Sequence, residues 1–278
     1  MELQYPGLDD FLRSALSEDT GSGDITTICC VPEDAVSEGA FIAKEPGVIC
    51  GLGIAARVFE LIDAAVRLTP RVRDGEHVAA GDVIAEISGP SRALLTGERT
   101  ALNLLQRLSG VATKTAEAVG AIGGTKTKIK DTRKTTPGLR VLEKYAVRCG
   151  GGTNHRIGLY DAVLIKDNHI KAAGGITSAV GRARAAYGDK FEIEVETESS
   201  AQVAEALDAG ADVIMLDNMS PEMMRAAVKQ IAGRAQTEAS GNMGDRDLRV
   251  IAETGVDFIS IGALTHSVRA LDISLKFE

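Results

Sequence analysis

The chain has 278 residues, 44% hydrophobic and 25% charged, with 31 Lys and Arg against 39 Asp and Glu for a net charge of −8. Those values suit a soluble globular protein of one large or two smaller domains with a sizeable core. A pI near 5.2 argues against broad nucleic-acid binding, which calls for a basic face, and no apolar run reaches the roughly 20 residues of a membrane span.

The opening MELQYPGLDDFLRSALSEDT is acidic and lacks a signal-peptide apolar region. Leu8, Phe11, Leu12 and Leu16 share one face and predict a helix over 8–18. A Gly-Ser-Gly-Asp loop follows at 21–24. Cys29, Cys30, Cys50 and Cys149 show no metal-ligand spacing and read as reduced thiols of a cytoplasmic protein. From Ser37 to Pro90, short alternating segments punctuated by Gly and Pro read as strands, with one helix near 53–65. The run DGEHVAAGDVIAEISG has the look of a carrier hairpin but no exposed Lys to modify, so it reads as ordinary sandwich structure with His77 in a surface turn.

GERTALNLLQRLSGVATKTAEAVGAI is a long helical stretch with an apolar stripe at Leu102, Leu105, Leu108 and Val111/Ala112. Six strands then alternate with helices: 127–130, 162–166, 191–196, 212–217, 234–240 and 257–262, with helical intervals such as 199–210 and 246–255. Buried strands each followed by a helix predict a parallel sheet covered by helices, and six such units favour a closed or nearly closed β/α barrel.

Charge is unevenly distributed. Between Asp131 and Lys171 eight Lys and Arg face four Asp and Glu, 8 − 4 = +4 in a chain of −8, among a Thr-Thr-Pro-Gly turn and a triple glycine. Cations gathered at glycine-rich turns suit a small, highly anionic ligand. Arg133 and Arg156 flank such turns, whereas Arg140, Lys144 and Arg148 read as solvated residues of a helix after Pro137. The strands end in polar groups: Asp131 to Lys134, Lys166, Glu196, Asp217, Ser240-Gly241-Asn242 and Gly262. Barrel enzymes carry their chemistry at those ends. Glu196 and Asp217 would be rim neighbours suited to Mg²⁺, a hard ion with oxygen ligands. Glu194 is expected to point away from Glu196, one into the barrel and one towards the helices. Ser240, Gly241 and Gly262 suit a phosphate cradle, with His266 as a further donor. His169 reads equally as a site residue or as a group orienting Lys166 or Asp167. Met215, Met219, Met223 and Met224 read as core filling.

The motifs GERTALNLLQRLSG (97–110), DTRKTTPGLRVLEKYAVRCGGGTNHR (131–156), LIKDNH (164–169), EIEVE (192–196), IMLDN (214–218), EASGN (238–242) and ISIGALTHS (259–267) carry a resemblance over nearly the whole chain. It resembles the quinolinate phosphoribosyltransferase family, the carboxylating nicotinate-nucleotide pyrophosphorylases. The resemblance implies an α/β chain with an N-terminal α/β sandwich over 1–106, completed by 271–278, and an open, TIM-like β/α barrel over 107–270. It implies Mg-dependent transfer of phosphoribosyl from phosphoribosyl pyrophosphate to quinolinate, with loss of CO2, in NAD biosynthesis. Arg133, His155 and Arg156 would hold the two carboxylates, and Arg99 would reach the pocket of the partner subunit in a homodimer. Lys134 and Lys166 would bridge the substrates, and Glu196 and Asp217 would hold the ribose hydroxyls and Mg-pyrophosphate. Thr132, Thr135, Ser240, Gly241, Asn242, Gly262, Ala263, Leu264 and His266 complete the implied substrate contacts. Two positions depart from many members: Asn242 where a second glycine is common, and Lys44 where Arg is common.

The residue chemistry agrees. A planar dicarboxylate is best gripped by guanidinium forks, and a pyridinium formed by ring attack is its own electron sink for CO2 loss. Three alternatives stay open: a related transferase acting on another ring carboxylate without decarboxylation, a Schiff-base aldolase at Lys166, and a binding module without turnover. The cation set Arg99, Arg133, Arg156 and Lys166 favours two carboxylates over one.

Overall fold

The computed structural model describes residues 5–277. In chain order the strands are β1 (Val36–Ala43), β2 (Gly47–Val48), β3 (Arg67–Pro70), β4 (His77–Val78), β5 (Val83–Pro90), β6 (Lys128–Lys130), β7 (Val163–Ile165), β8 (Ile193–Thr197), β9 (Val213–Asp217), β10 (Gln236–Ser240), β11 (Phe258–Ser260) and β12 (Ile273–Phe277). They fall into two compact units: Met1–Ala116 with Val141–Gly151 and Val268–Glu278, and Glu117–Arg140 with Gly152–Ser267.

The first unit is built on an antiparallel sheet in the order β12-β1-β5-β3. Along β1, Gly39, Phe41 and Ala43 face inward with period two. Phe41 pairs with Leu275 and Ala43 with Ile273, so the last strand contributes its apolar side chains to the core that β1 begins. Helix Leu8–Thr20 buries Leu12 and Leu16 and runs two residues past the expected end. Helix Leu52–Ile62 buries Ile54, Ala55, Val58 and Phe59, and the Phe59 ring meets Phe41 edge-on at 6.3 Å. Asp74 starts that helix by accepting from the Gly51 and Leu52 N–H groups, and it accepts from the Tyr145 hydroxyl as well. His77 is exposed, on β4 rather than in a turn.

Helix Ser91–Ala121 begins earlier than Gly97 suggests. A glycine costs a helix interior about 1 kcal/mol relative to alanine, but a Cβ at Gly97 would press on Phe59 and Ile62. Close packing keeps the glycine, and the helix runs through it. All four cysteines are free thiols.

The second unit is a six-stranded parallel sheet in the order β6-β11-β10-β9-β8-β7. Strands β7 to β11 are each followed by a helix of the same unit: Asp167–Ala173 and Ile176–Tyr187, then Ser200–Asp208, Pro221–Ile231, Leu248–Ala252 and Ala263–His266. Ser199, Ser220 and Asp247 cap their helices with side-chain oxygens, and Pro221 occupies the first turn, where its missing N–H is no loss. Residues 213–216 of β9 are buried, as expected of a central strand covered on both faces. Among the described residues β6 and β7 are not paired with each other; a single parallel bridge joins Lys130 to Thr153. The barrel is therefore open. Because all six strands run the same way, their C-terminal ends meet at one rim. No described helix is long and apolar enough to cross a membrane.

Candidate active site

The site begins where β6 ends. Asp131 is fully buried and its carboxylate accepts from the His155 N–H at 2.8 Å and the Asn154 amide at 2.6 Å, tying the DTRKTTPG and GGTNHR loops together. Arg140 donates to Thr135 Oγ1 at 2.9 Å and to the Ile157 carbonyl at 3.1 Å, fixing the same two loops from outside. Arg140 is thus a tether between loops, and Lys144 is only 3% exposed; the expectation that both are solvated is corrected. Thr265 Oγ1 donates to the Lys134 carbonyl at 2.8 Å. The Lys134 side chain lies over Gly262, where a Cβ would stand 2.9 Å from Lys134 Cδ.

Lys166 follows β7, and its backbone N–H donates to His169 Nδ1 at 3.0 Å at the start of helix Asp167–Ala173. His169 thus caps the start of that helix against the Lys166 main chain. The Lys166 ammonium donates to Glu196 Oε2 at 3.1 Å. Glu194 and Glu196 are two residues apart on β8, and side chains at that spacing project to one face of a strand. The expectation that they point apart is therefore wrong: Glu194 meets His155 Nε2 at 2.9 Å and Glu196 meets Lys166. Asp217 closes β9, one oxygen held by Asn218 Nδ2 at 2.7 Å. At the end of β10, Gly241 has φ +95° and packs against the Asn218 amide so tightly that no side chain would fit. Asn242 has φ +51°. That left-handed conformation is the one a glycine would supply, and Asn is among the few residues that adopt it routinely. The departure from a second glycine therefore leaves the turn accessible.

These ends enclose a cleft of about 530 Å³. Thr132, Arg133, Lys134, His155, Arg156, Lys166, Glu196, Asp217, Ser240, Gly241 and Asn242 line it, all expected from sequence. Six expected residues stand elsewhere. Thr135 is engaged by Arg140, Gly262 lies beneath Lys134, and Ala263 opens the short helix Ala263–His266. The Leu264 side chain is buried, and His266 Nδ1 shares a hydrogen bond with Ser267 Oγ at 2.7 Å. Arg99 belongs to the first unit and is exposed within helix Ser91–Ala121.

Sequence reasoning missed Asn218 and Glu238, both of which line the cleft. Each lay inside a motif already singled out, beside Asp217 and two residues before Ser240. Glu238 is fully buried, and its carboxylate accepts from Lys130 at 2.7 Å. Burial first, and then the Glu194 charge, raise its pKa against the pull of Lys130.

Arg133 and Arg156 give the cleft its character. Each keeps a buried Nε without a hydrogen-bond partner. Burial lowers the Arg156 pKa and the positive charge of Arg133 lowers it further, against Glu194 and Asp161. Like charges held together at a cost, with donors left over, prepare a site for an anion with more than one carboxylate.

A sequence model of the quinolinate phosphoribosyl transferase C-terminal domain matches residues 111–276, and that of the N-terminal domain matches 24–109. The chain is 49% identical over 268 residues to a probable nicotinate-nucleotide pyrophosphorylase [carboxylating] of Bacillus subtilis, covering 96% of this chain and 92% of the relative. It is 44% identical over 280 residues to a nicotinate-nucleotide pyrophosphorylase [carboxylating] of Mycobacterium leprae, covering 99% and 98%. The solved nicotinate-nucleotide pyrophosphorylase of Francisella tularensis superposes with a TM-score of 0.95 at 43% identity, covering 99% of this chain and 98% of that one.

Proposed function

The chain belongs to the quinolinate phosphoribosyl transferase family, and on that premise we propose that it transfers phosphoribosyl from phosphoribosyl pyrophosphate to quinolinate with loss of CO2, yielding nicotinate mononucleotide for NAD biosynthesis. The observation that carries this reading is the pair of half-buried arginines, Arg133 and Arg156, each with a buried and unpartnered Nε at one cleft. A dianion with two carboxylates on a rigid ring satisfies both forks at once.

In this reading the two arginines orient the ring so that its nitrogen faces ribose C1. The nitrogen lone pair forms the N–C1 bond as the C1–O bond breaks, its electrons leaving with pyrophosphate. The ring, now a pyridinium, accepts the electron pair of the C2–carboxylate bond. CO2 departs and C2 takes up a proton. Lys134 and Lys166 neutralise the charge that develops on the leaving group, and such fixed charges at a desolvated site lower the barrier without reorganisation. Ser240, Gly241 and Asn242, with Gly262 and Ala263, hold the 5′-phosphate.

Glu196 and Asp217 fit Mg²⁺ by their chemistry: hard carboxylate oxygens on adjacent strands, both lining the cleft, each with one oxygen already held by a neighbour. The ion would neutralise pyrophosphate as it leaves. The working unit in this reading is a cytoplasmic homodimer, with Arg99 serving the partner's cleft.

The test is direct. The protein is incubated with phosphoribosyl pyrophosphate, Mg²⁺ and quinolinate labelled in its 2-carboxylate. Labelled CO2 and nicotinate mononucleotide are expected in equal amounts. A mononucleotide formed without CO2 would replace quinolinate chemistry with that of a non-decarboxylating transferase.

A further inference from the structure

We infer that Glu194 is a positioning residue that fixes the His155 ring and, through the bond of that ring to the Arg156 main chain, the turn that carries Arg156 into the cleft, and with it the grip on one carboxylate of the ring acid. The role of Arg156 rests on the reading of the cleft given above; the Glu194–His155–Arg156 linkage does not. The Arg156 backbone N–H lies 2.7 Å from His155 Nδ1. That group can only donate, so Nδ1 accepts and the neutral imidazole carries its proton on Nε2. Nε2 lies 2.9 Å from Glu194 Oε2 and 3.7 Å from Glu238 Oε1, so its proton goes to Glu194. Asp131 holds the His155 N–H at 2.8 Å. The imidazole is thereby fixed on both ring nitrogens and at its own backbone.

Both ring nitrogens of His155 thus have partners within the chain. The ring lines the cleft beside Arg156, whose Nη1 donates to the Ala162 carbonyl at 3.2 Å while its buried Nε has no partner.

Glu194 is poorly explained as a stabilising group. It is 4% exposed, its Oε1 is buried without a partner, and among the described residues its one close ion-pair contact is His155, with the Arg156 charge acting on it without a hydrogen bond. Burying a carboxylate so is costly. Glu238, equally buried, has Lys130 at 2.7 Å. A strong acceptor that holds one tautomer, at a cost, is characteristic of groups that orient a histidine.

The experiment compares E194A with E194Q. The glutamine amide oxygen still accepts from Nε2–H; alanine has nothing to offer. E194A is expected to raise the quinolinate KM by about tenfold or more, the scale of losing an orienting partner, with the KM for phosphoribosyl pyrophosphate unchanged. E194Q should stay near wild type in both. In parallel, ¹⁵N NMR of the His155 ring should show the Nε2–H tautomer in wild type and E194Q and a mixture in E194A. If E194A does not fold, E194L fills the volume without an acceptor and is read the same way. A wild-type Nδ1–H tautomer overturns the inference. So does a quinolinate KM unmoved in E194A, or one that rises in step with that of the other substrate. The tautomer measurement needs no substrate, so it stands even if quinolinate proves not to be turned over.

Discussion

The Lys166 ammonium lies 3.1 Å from Glu196 Oε2, bridging the rim from the residue after β7 to β8, with the lysine side chain 48% and the glutamate 14% exposed. The cation and the carboxylate are held together before a substrate arrives, and each limits where the other can go. Lys166→Ala removes a charge that stabilises the leaving group and also releases Glu196. Its kcat is expected to fall by about 10²-fold or more, the scale for deleting one preorganised donor, with a smaller change in the quinolinate KM. Steady-state kinetics with both substrates varied would show this. A kcat within a few-fold of wild type would remove Lys166 from the reacting centre.

Arg133→Ala and Arg156→Ala should each weaken quinolinate binding by about 2–5 kcal/mol, the scale for truncating one member of a desolvated charge pair. Lysine at either position should not restore it, because an ammonium lacks the planar fork. Titration calorimetry of each variant reads the difference. Unchanged affinity in one variant would exclude that arginine from the grip.

Much of the barrel was legible because its strands are short apolar runs closed by polar residues, and burial on both faces leaves that pattern in sequence. Asp217 and Ser240 stood out as polar ends to such runs. What escaped were charges that are buried and paired across strands. Lys130 and Glu238 lie 108 residues apart and pair inside the barrel, so neither shows a local signal. Lys144 looked solvated because a lysine on a helix usually is. Glu194 is a different case: the period of a strand puts residues two apart on one face, so its sharing a face with Glu196 follows from sequence alone. The first turns of helix Ser91–Ala121 carry no such signal, because the glycine at 97 is explained only by Phe59 and Ile62 packed against it.

Asp217→Ala is expected to cripple Mg²⁺-dependent turnover while leaving the fold intact, since the Asp217 side chain ends β9 at the cleft and not in the core. Mn²⁺ should replace Mg²⁺ in the wild type, because both prefer oxygen ligands. Circular dichroism of the variant separates loss of structure from loss of activity. Full activity of the wild type in EDTA would exclude the metal requirement.

Arg99 supplies the test of a shared site. It is exposed within helix Ser91–Ala121, is not among the residues lining the cleft, and belongs to the first unit. If it serves the cleft of a partner subunit, Arg99→Ala and Lys166→Ala proteins should each be nearly inactive alone. Mixed in equal amounts under conditions of subunit exchange, about half of the dimers are heterodimers, by the two-fold logic of a symmetric pair. In each heterodimer one site joins an intact Arg99 to an intact Lys166, and the other lacks both. Activity should recover to about one quarter of the wild-type value, half the dimers each with one good site of two. Light scattering on the unmixed protein confirms the dimer first. No recovery after demonstrated exchange would return Arg99 to its own subunit, or to the helix alone.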